Sequence, residues 1–118
     1  MAGADRTVRE SVQPLDQVNY IHDQLAVAAT EENIWVGPEG GAMSEARAID
    51  IITDLDVLVA FNITAGVLVA GTNAVFLNAG ESLSLSGIVL TSVRIVNVNV
   101  GEQPLIRGTI WGVSGAYN

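Results

Sequence analysis

Apolar and polar residues alternate along much of the chain, which is the pattern of β-strands with one buried face. The stretch "NAGESLSLSG" shows it most clearly, since Leu83 and Leu85 alternate with serines. The alternation predicts that both leucines face the core, and that Ser82, Ser84 and Ser86 face solvent. The serines therefore indicate the wet side of a strand rather than candidate nucleophiles.

Two earlier segments have the same period of two. "ARAIDIITD" predicts a strand with Ile49 and Ile51 on one face, and "DVLVAFNIT" predicts a strand with Val57 and Val59 facing the core. Shorter strands are predicted in "NIWVG" and "NAVFLNAG". The apolar window 57–71, "VLVAFNITAGVLVAG", is predicted to form two strands and a turn.

Breaks that contain Gly, Asn or Pro separate these segments, and no long helical period lies between them. The predicted fold class is therefore all-β: a small antiparallel β-sandwich, jelly-roll-like or Ig-like, that occupies residues 31–118. Residues 1–30 are predicted to form an N-terminal arm or a short helix or strand. The spacing of Leu15, Val18 and Ile21 permits a helix, whereas "QLAVAA" is compatible with a strand, and an extended arm is favoured.

The closing strand supplies candidate interface residues. In "PLIRGTIWG", Ile106 and Ile110 share one face, so that Arg107 and Trp111 share the other. If the isoleucines point inward, Trp111 stands on the outer face beside an arginine, which is the composition of an interface anchor. The alternative, in which Trp111 caps one end of the core, stays open.

The preceding strand, "VRIVNVNVG", sets Val96 and Val98 on the same face as Arg94, with Ile95 and Asn97 on the other. It predicts a strand with one apolar side and one wetter side. No residue is predicted to be catalytic, to bind a cofactor or to bind a metal. The predicted interface residues of the chain are Trp35, Arg94, Arg107, Trp111 and Tyr117.

Composition indicates assembly with other protein subunits. The chain has 118 residues, of which 49% are hydrophobic, and its mean hydropathy of +0.40 is high for a small monomer. Apolar surface in such excess is commonly buried between subunits, and we expect homo-oligomerisation or docking on a large assembly.

Charge and hydropathy exclude other partners. The net charge is −8 and the chain has no lysine, which argues against nucleic acid and anionic lipid. The most apolar window, residues 57–71, falls short of the roughly 20 residues that span a bilayer, and no signal peptide is visible. The sequence therefore predicts neither a nucleic-acid partner nor a membrane partner.

Little in the sequence points to catalysis. The chain has no cysteine, and His22 is its one histidine, so neither a thiolate metal site nor a Ser–His–acid triad has support. Asp50, Asp54 and Asp56 bracket a predicted turn, but the residue series of an EF-hand loop is absent. These acids are also the residue types expected at turns. We therefore expect that the chain is not an enzyme and takes no cofactor.

The order of elements from about Arg47 to Gly112 resembles small β-sandwich decoration or cement proteins on the virions of tailed bacteriophages. The resemblance rests on "VLVAFN", "VLVAGTNAVFL", the "NAGESLSLSG" turn and strand, "VRIVNVNVGEQPLI" and a closing "GTIWG" strand. Phage accessory proteins often carry the element L-x-A-G-E-S-L-x-L. Here its residues are Leu77, Ala79, Gly80, Glu81, Ser82, Leu83 and Leu85.

This resemblance implies a non-enzymatic virion protein that docks on the outer surface of the capsid, often as a homotrimer, and clamps neighbouring capsomers. The implied partners are the major capsid protein or other virion proteins, together with further copies of the chain. An acidic chain suits the capsid exterior better than the DNA-lined interior. Two alternatives stay open: a head–tail or tail adaptor, and a receptor- or glycan-binding module of a spike or fibre.

Overall fold

The backbone forms eight β-strands. The computed structural model describes residues 15–39 and 41–114, and in these ranges it contains no helix. The strands are β1 Gln17–Gln24, β2 Glu32–Val36, β3 Glu45–Thr53, β4 Val57–Phe61, β5 Val75–Leu77, β6 Ser82–Leu90, β7 Ser92–Asn97 and β8 Leu105–Val113.

These strands pair as two antiparallel sheets of four. Sheet A has the order β1-β8-β3-β6, and sheet B has the order β2-β7-β4-β5. The predicted all-β sandwich is confirmed. Each sheet has one face toward the other sheet, one outer face and two edge strands, and these surfaces determine where a partner can bind.

The core lies between the two sheets. Sheet A contributes Ile49, Ile51 and Ile110, and sheet B contributes Val57 and Val59, all of which are fully buried in one apolar cluster. These positions alternate along their strands, as the period of two requires. The predicted core face of β4 is therefore confirmed, and β3 and β8 bury the faces that carry Ile49 with Ile51 and Ile106 with Ile110.

The N-terminal part of the described chain belongs to sheet A. Strand β1 pairs with β8 in continuous register, from Gln17 opposite Gly112 to Gln24 opposite Leu105. The sandwich thus includes Gln17–Gln24, upstream of the predicted boundary at residue 31. The predicted arm falls in part on residues 1–14, which lie outside the described residues.

The second strand predicted in the window 57–71 is wrong. Strand β4 ends at Phe61, and residues 62–74 form a loop instead. The side chain of Asn73 bonds main-chain groups of this loop: its Oδ1 accepts from Val69 N at 2.7 Å and its Nδ2 donates to Val67 O at 3.0 Å. These groups are therefore not available to pair with a neighbouring strand. Gly71 has a φ of 80°, which turns the chain away from strand geometry.

Strand β7 differs from the prediction of one apolar and one wetter side. Its inner face carries Val93 and Ile95, and Val96 on the opposite face is also buried. The strand ends at Asn97, whose side chain is fully buried. Both faces are buried because a loop covers the outer one, a long-range contact that periodicity does not show.

The Asn97 amide joins three parts of the chain at one end of the sandwich. Its Nδ2 donates to the carbonyl of Ala26 at 3.0 Å and to the carbonyl of Glu102 at 2.7 Å, and its Oδ1 accepts from Asn99 N at 2.7 Å. A buried amide with several partners is costly to remove, since each partner would lose its hydrogen bond away from water. This contact therefore fixes the β1–β2 connection against the β7–β8 turn.

We expect Asn97→Ala to lower the free energy of unfolding by about 2–4 kcal/mol, because it leaves buried carbonyls without donors. Urea denaturation followed by tryptophan fluorescence measures the change. Replacing the exposed Gln103 by Ala in the same turn is the control, with an expected change within about 0.5 kcal/mol. An Asn97→Ala variant as stable as the wild type would contradict the structural role of this amide.

Candidate binding surface

The outer face of sheet A brings polar and aromatic side chains of β1 and β8 together. Across the β1–β8 ladder, Tyr20 lies opposite Thr109 and His22 lies opposite Arg107. Trp111, which lies opposite Val18, is two residues beyond Thr109 on the same face. Successive residues of a strand point to opposite faces, so Trp111 and the side chains of the Tyr20–Thr109 and His22–Arg107 pairs share the outer face. We call them the aromatic–basic strip.

The aromatic residues of the strip are accessible. Tyr20 is 75% exposed, more than any other large apolar or aromatic residue of the described chain. Trp111 is half-buried and borders a shallow depression with Val18 and Leu15. Trp111 thus stands on the outer face, as its parity predicts, and not at the end of the core.

A second shallow depression on this face is lined by Tyr20, His22, Asp50, Arg107 and Thr109. The Asp50 carboxylate accepts a hydrogen bond from Ser84 Oγ at 2.9 Å. The guanidinium of Arg107 has no hydrogen-bond or ion-pair partner among the described residues. A partner that binds in this depression could therefore contact the exposed phenol of Tyr20 and the guanidinium of Arg107.

The two outer sheet faces differ in what covers them. The loop of residues 62–74 folds over the outer face of sheet B and places Leu68, which is 4% exposed, in a cluster with Ala60 and Val96. On sheet A, none of the described residues covers Tyr20 or Arg107 in this way. Sheet B therefore packs against its own chain, and the aromatic–basic strip of sheet A is left to solvent or to a partner.

Arg94, a predicted interface residue, anchors this loop. Its Nε and Nη2 donate to the carbonyl of Gly66 at 3.1 and 2.9 Å, and its Nη1 donates to Asn33 Oδ1 at 2.9 Å and to the carbonyl of Thr64 at 3.2 Å. With its donors directed at the loop, Arg94 stabilises the fold of the chain rather than presenting a free cation.

Glu31 anchors the same loop through a second contact. Its Oε2 accepts a hydrogen bond from the main-chain N–H of Leu68 at 3.1 Å. This bond, with a smaller contribution from the nearby Arg94 charge, lowers the pKa of Glu31 below its ordinary value of 4.5. The ionised carboxylate is therefore the form that holds the loop.

Two more of the predicted interface residues lie elsewhere. Trp35 is 1% exposed and packs in the core, with its Nε1 donating to Asn19 Oδ1 at 3.2 Å. The prediction of Trp35 on an accessible surface is therefore wrong for this chain. The large ring fills space between the sheets. Tyr117 lies outside the described residues.

The three aspartates near the β3–β4 turn act separately. Asp54 Oδ1 accepts from Leu105 N at 2.7 Å, and Asp56 Oδ1 accepts from Ala79 N at 2.7 Å. Asp50 bonds Ser84 on the outer face of sheet A. Across residues 15–39 and 41–114, no group of three or more His, Cys, Asp or Glu side chains is placed to hold a metal ion. In the same part of the chain, no helix is long and apolar enough to cross a membrane.

Four exposed apolar residues in and before β5 were not predicted from the sequence. Val67 is 69% exposed, and Val69, Val75 and Phe76 are each nearly half exposed. The sequence predicts strands in this region and does not indicate which of their apolar residues are exposed. The signal that could have indicated exposure at Val67 and Val69 is the pair of glycines, Gly66 and Gly71, that bracket them.

Tyr20 and His22 also join the strip without having been predicted as site residues. The alternation in "QVNYIHDQ" could have placed both on one face, since Ile21 between them is buried.

No family model, no curated protein and no solved structure matches the chain. A functional assignment therefore depends on the chain's own surfaces.

The Glu31 contact makes loop stability depend on pH. Because the folded-state pKa is lowered, its contribution is present above about pH 4.5 and is lost as the pH falls through the lower folded-state value. We expect Glu31→Gln to lower the thermal midpoint relative to wild type at pH 7, and the difference between the two midpoints to be smaller at pH 3. Thermal melts followed by circular dichroism at both pH values measure this.

The exposed Glu39, changed to Gln, is the matched control and is expected to melt with the wild type at pH 7. A Glu31→Gln midpoint equal to wild type at pH 7, or a gap that widens at pH 3, would contradict the anchoring role.

Proposed function

We propose that this chain is a non-enzymatic structural protein of a tailed-phage virion, a decoration or cement protein that docks on the outer surface of the capsid. The aromatic–basic strip of sheet A makes the contact. The observation that carries the proposal is the contrast between the two outer faces: a loop packs over part of the sheet B face, whereas no described residue covers Tyr20, which is 75% exposed, on the sheet A face.

The residue types of the strip favour a protein partner. Tyr, Trp and Arg are enriched among the residues that dominate binding energy at protein interfaces. Tyr20 and Trp111 are held on paired strands, so little backbone freedom is lost when a partner covers them. A preorganised aromatic surface of this kind suits a rigid, repeated partner such as a capsid.

The charge distribution supports an exterior location. The described residues include eleven Asp and Glu side chains but only three arginines, and two of the three, Arg47 and Arg94, are occupied by other groups of the chain. Arg107 is thus the available cation within an acidic surface, and a partner carboxylate placed there gains a charge-assisted bond. Surface acidity is unfavourable beside packaged DNA, which favours the outside of the shell.

The motif that resembles phage accessory proteins has a structural role here. The Glu81 carboxylate accepts from Asn78 N at 2.6 Å and from Asn78 Nδ2 at 2.8 Å, and these bonds lower its pKa. Gly80 takes a φ of 80° in the same turn. The motif therefore specifies how β6 begins. It supports the proposal because this turn and strand resemble those of phage accessory proteins, and it does not indicate a shared binding site.

A glycan-binding module of a spike or fibre is the second candidate. The observation in its favour is the shallow depression in which the exposed Tyr20 ring stands near His22 and Asp50. Sugar rings stack on exposed aromatic rings, and their hydroxyl groups bond carboxylates. Binding to a glycan array, with no binding to capsids, would favour this candidate over the decoration protein.

Co-sedimentation with capsids that lack the chain tests the proposal. We expect wild-type chain to pellet with the particles, and Tyr20→Ala to weaken binding by about 30-fold, the loss typical of a central interface residue. Arg107→Ala is expected to weaken binding less, and more at low salt than at high salt, since the pair it forms is screened.

Val67→Ala is the matched control, because it truncates a similarly exposed side chain on the opposite side of the sandwich. We expect its affinity to equal that of wild type. Absence of wild-type binding, or a loss for Val67→Ala with none for Tyr20→Ala, would overturn the proposal.

A further inference from the structure

Residues 82–86 of strand β6 form a regular sheet edge without a charged side chain. Exposed edges present unpaired N–H and C=O groups, and proteins usually guard them with charged residues, irregularities or short length. Of the other three edge strands, β1 carries Asp23, β2 carries Glu32 and a register shift, and β5 has three residues. Strand β6 has nine residues and no charged side chain.

The regular part of this edge is short and well defined. Residues 82–86 pair with β3 in unbroken register, from Ser82 opposite Ile52 to Ser86 opposite Ala48. Beyond Ser86 the register shifts, and Gly87 takes a φ of 72°. A partner strand therefore has five regular residues available before the irregularity stops further pairing.

Apolar groups lie beside this edge. Leu83 and Leu85 are partly buried on the inner side of β6 and line a groove with Val59, Phe61 and Val75 of sheet B. A strand added to β6 extends sheet A across the mouth of this groove. Its apolar side chains then cover those of the groove, which adds hydrophobic burial to the main-chain bonds.

We propose that residues 82–86 pair antiparallel with the same residues of a second copy, across a two-fold axis at Ser84. In this register Ser82 lies opposite the partner's Ser86, and Leu83 lies opposite the partner's Leu85. Serine pairs can share hydrogen bonds on the outer side, and leucine pairs pack on the inner side. The pairing satisfies both exposed edges at once and closes at a dimer.

The sequence of the edge identifies the second copy as the occupant, because residues 82–86, S-L-S-L-S, read the same in both directions and so match themselves across a two-fold axis. Two chains of net charge −8 repel each other, and this uncharged strand lets them approach at low electrostatic cost. The nearest carboxylate on the outer face, Asp50, lies on β3, so the two copies of Asp50 are three strand spacings apart, about 14 Å. This spacing is between main chains, and each Asp50 carboxylate is already bonded to Ser84 Oγ of its own chain.

The turn before β6 holds the Glu81 side chain away from the edge at which the second copy would pair. The Glu81 carboxylate is bonded to the N–H and the side-chain amide of Asn78. These bonds hold it back over the turn instead of along the edge. The first residue of the regular edge is therefore an uncharged serine.

A charge-swap experiment tests both the pairing and its register. One double variant carries Ser82→Lys with Ser86→Lys, and the other carries Ser82→Glu with Ser86→Glu. In the proposed register each places like charges opposite each other at both ends of the pair. Sedimentation velocity of the purified chain, without capsids, measures the mass.

We expect wild type to sediment at twice the chain mass of 12.3 kDa. Each double variant is expected to dimerise at least about tenfold more weakly, and an equimolar mixture to recover the wild-type affinity as Lys pairs with Glu. Ser84→Glu, which sets two carboxylates at the axis, is a second variant with the same expected loss. Recovery on mixing shows that the double variants are folded.

Val100→Lys with Gln103→Lys adds the same charge on an exposed turn away from β6, and we expect it to dimerise like wild type. A monomeric or trimeric wild type, dimers unaffected by the β6 charges, or no recovery on mixing would overturn the pairing. Because no capsid is present, a failure here is separate from a failure of the proposed docking function.

Discussion

The burial of two apolar sheet faces against each other is the interaction on which the rest of this structure depends. Ile49 and Ile51 of sheet A and Val57 and Val59 of sheet B are almost completely removed from water, and each such side chain contributes about 1.5–3 kcal/mol. A two-layer sandwich built this way leaves two outer faces and four edge strands. One outer face is covered by the loop of residues 62–74, and the functional proposals concern the surfaces that no described residue covers.

Side-chain amides and carboxylates hold in place the loops and turns that the main-chain hydrogen bonds between strands do not fix. Asn97 closes one end of the sandwich from inside, and Asn62 closes the other by donating to Val89 O at 2.8 Å and accepting from Thr91 N at 2.7 Å. Asn62 has a φ of 63°, a conformation that Asn tolerates better than most residues. Glu31 and Arg94 fix the covering loop. Polar side chains near the strand ends therefore hold the connections between strands in place.

The sequence predicted what depends on local alternation. The faces of β3, β4 and β8 follow from a period of two, because each strand buries one face. The environments of Trp35, Arg94 and residues 67–71 were not predicted correctly, because they are set by partners distant in sequence, such as Asn19 for Trp35 and Glu31 for the loop. Part of the aromatic–basic strip could be predicted, since Arg107 and Trp111 share a face, but the pairing of β8 with β1 that adds Tyr20 required the structure.

The central claim is that the aromatic–basic strip faces a capsid while the loop over sheet B faces solvent. An electron cryo-microscopy reconstruction of capsids decorated with the chain, at a resolution that separates strands, tests this orientation directly. We expect β1 and β8 to lie against the shell, with density joining it at Tyr20 and Trp111. Density that joins the shell at residues 62–74, with sheet A turned to solvent, would contradict it.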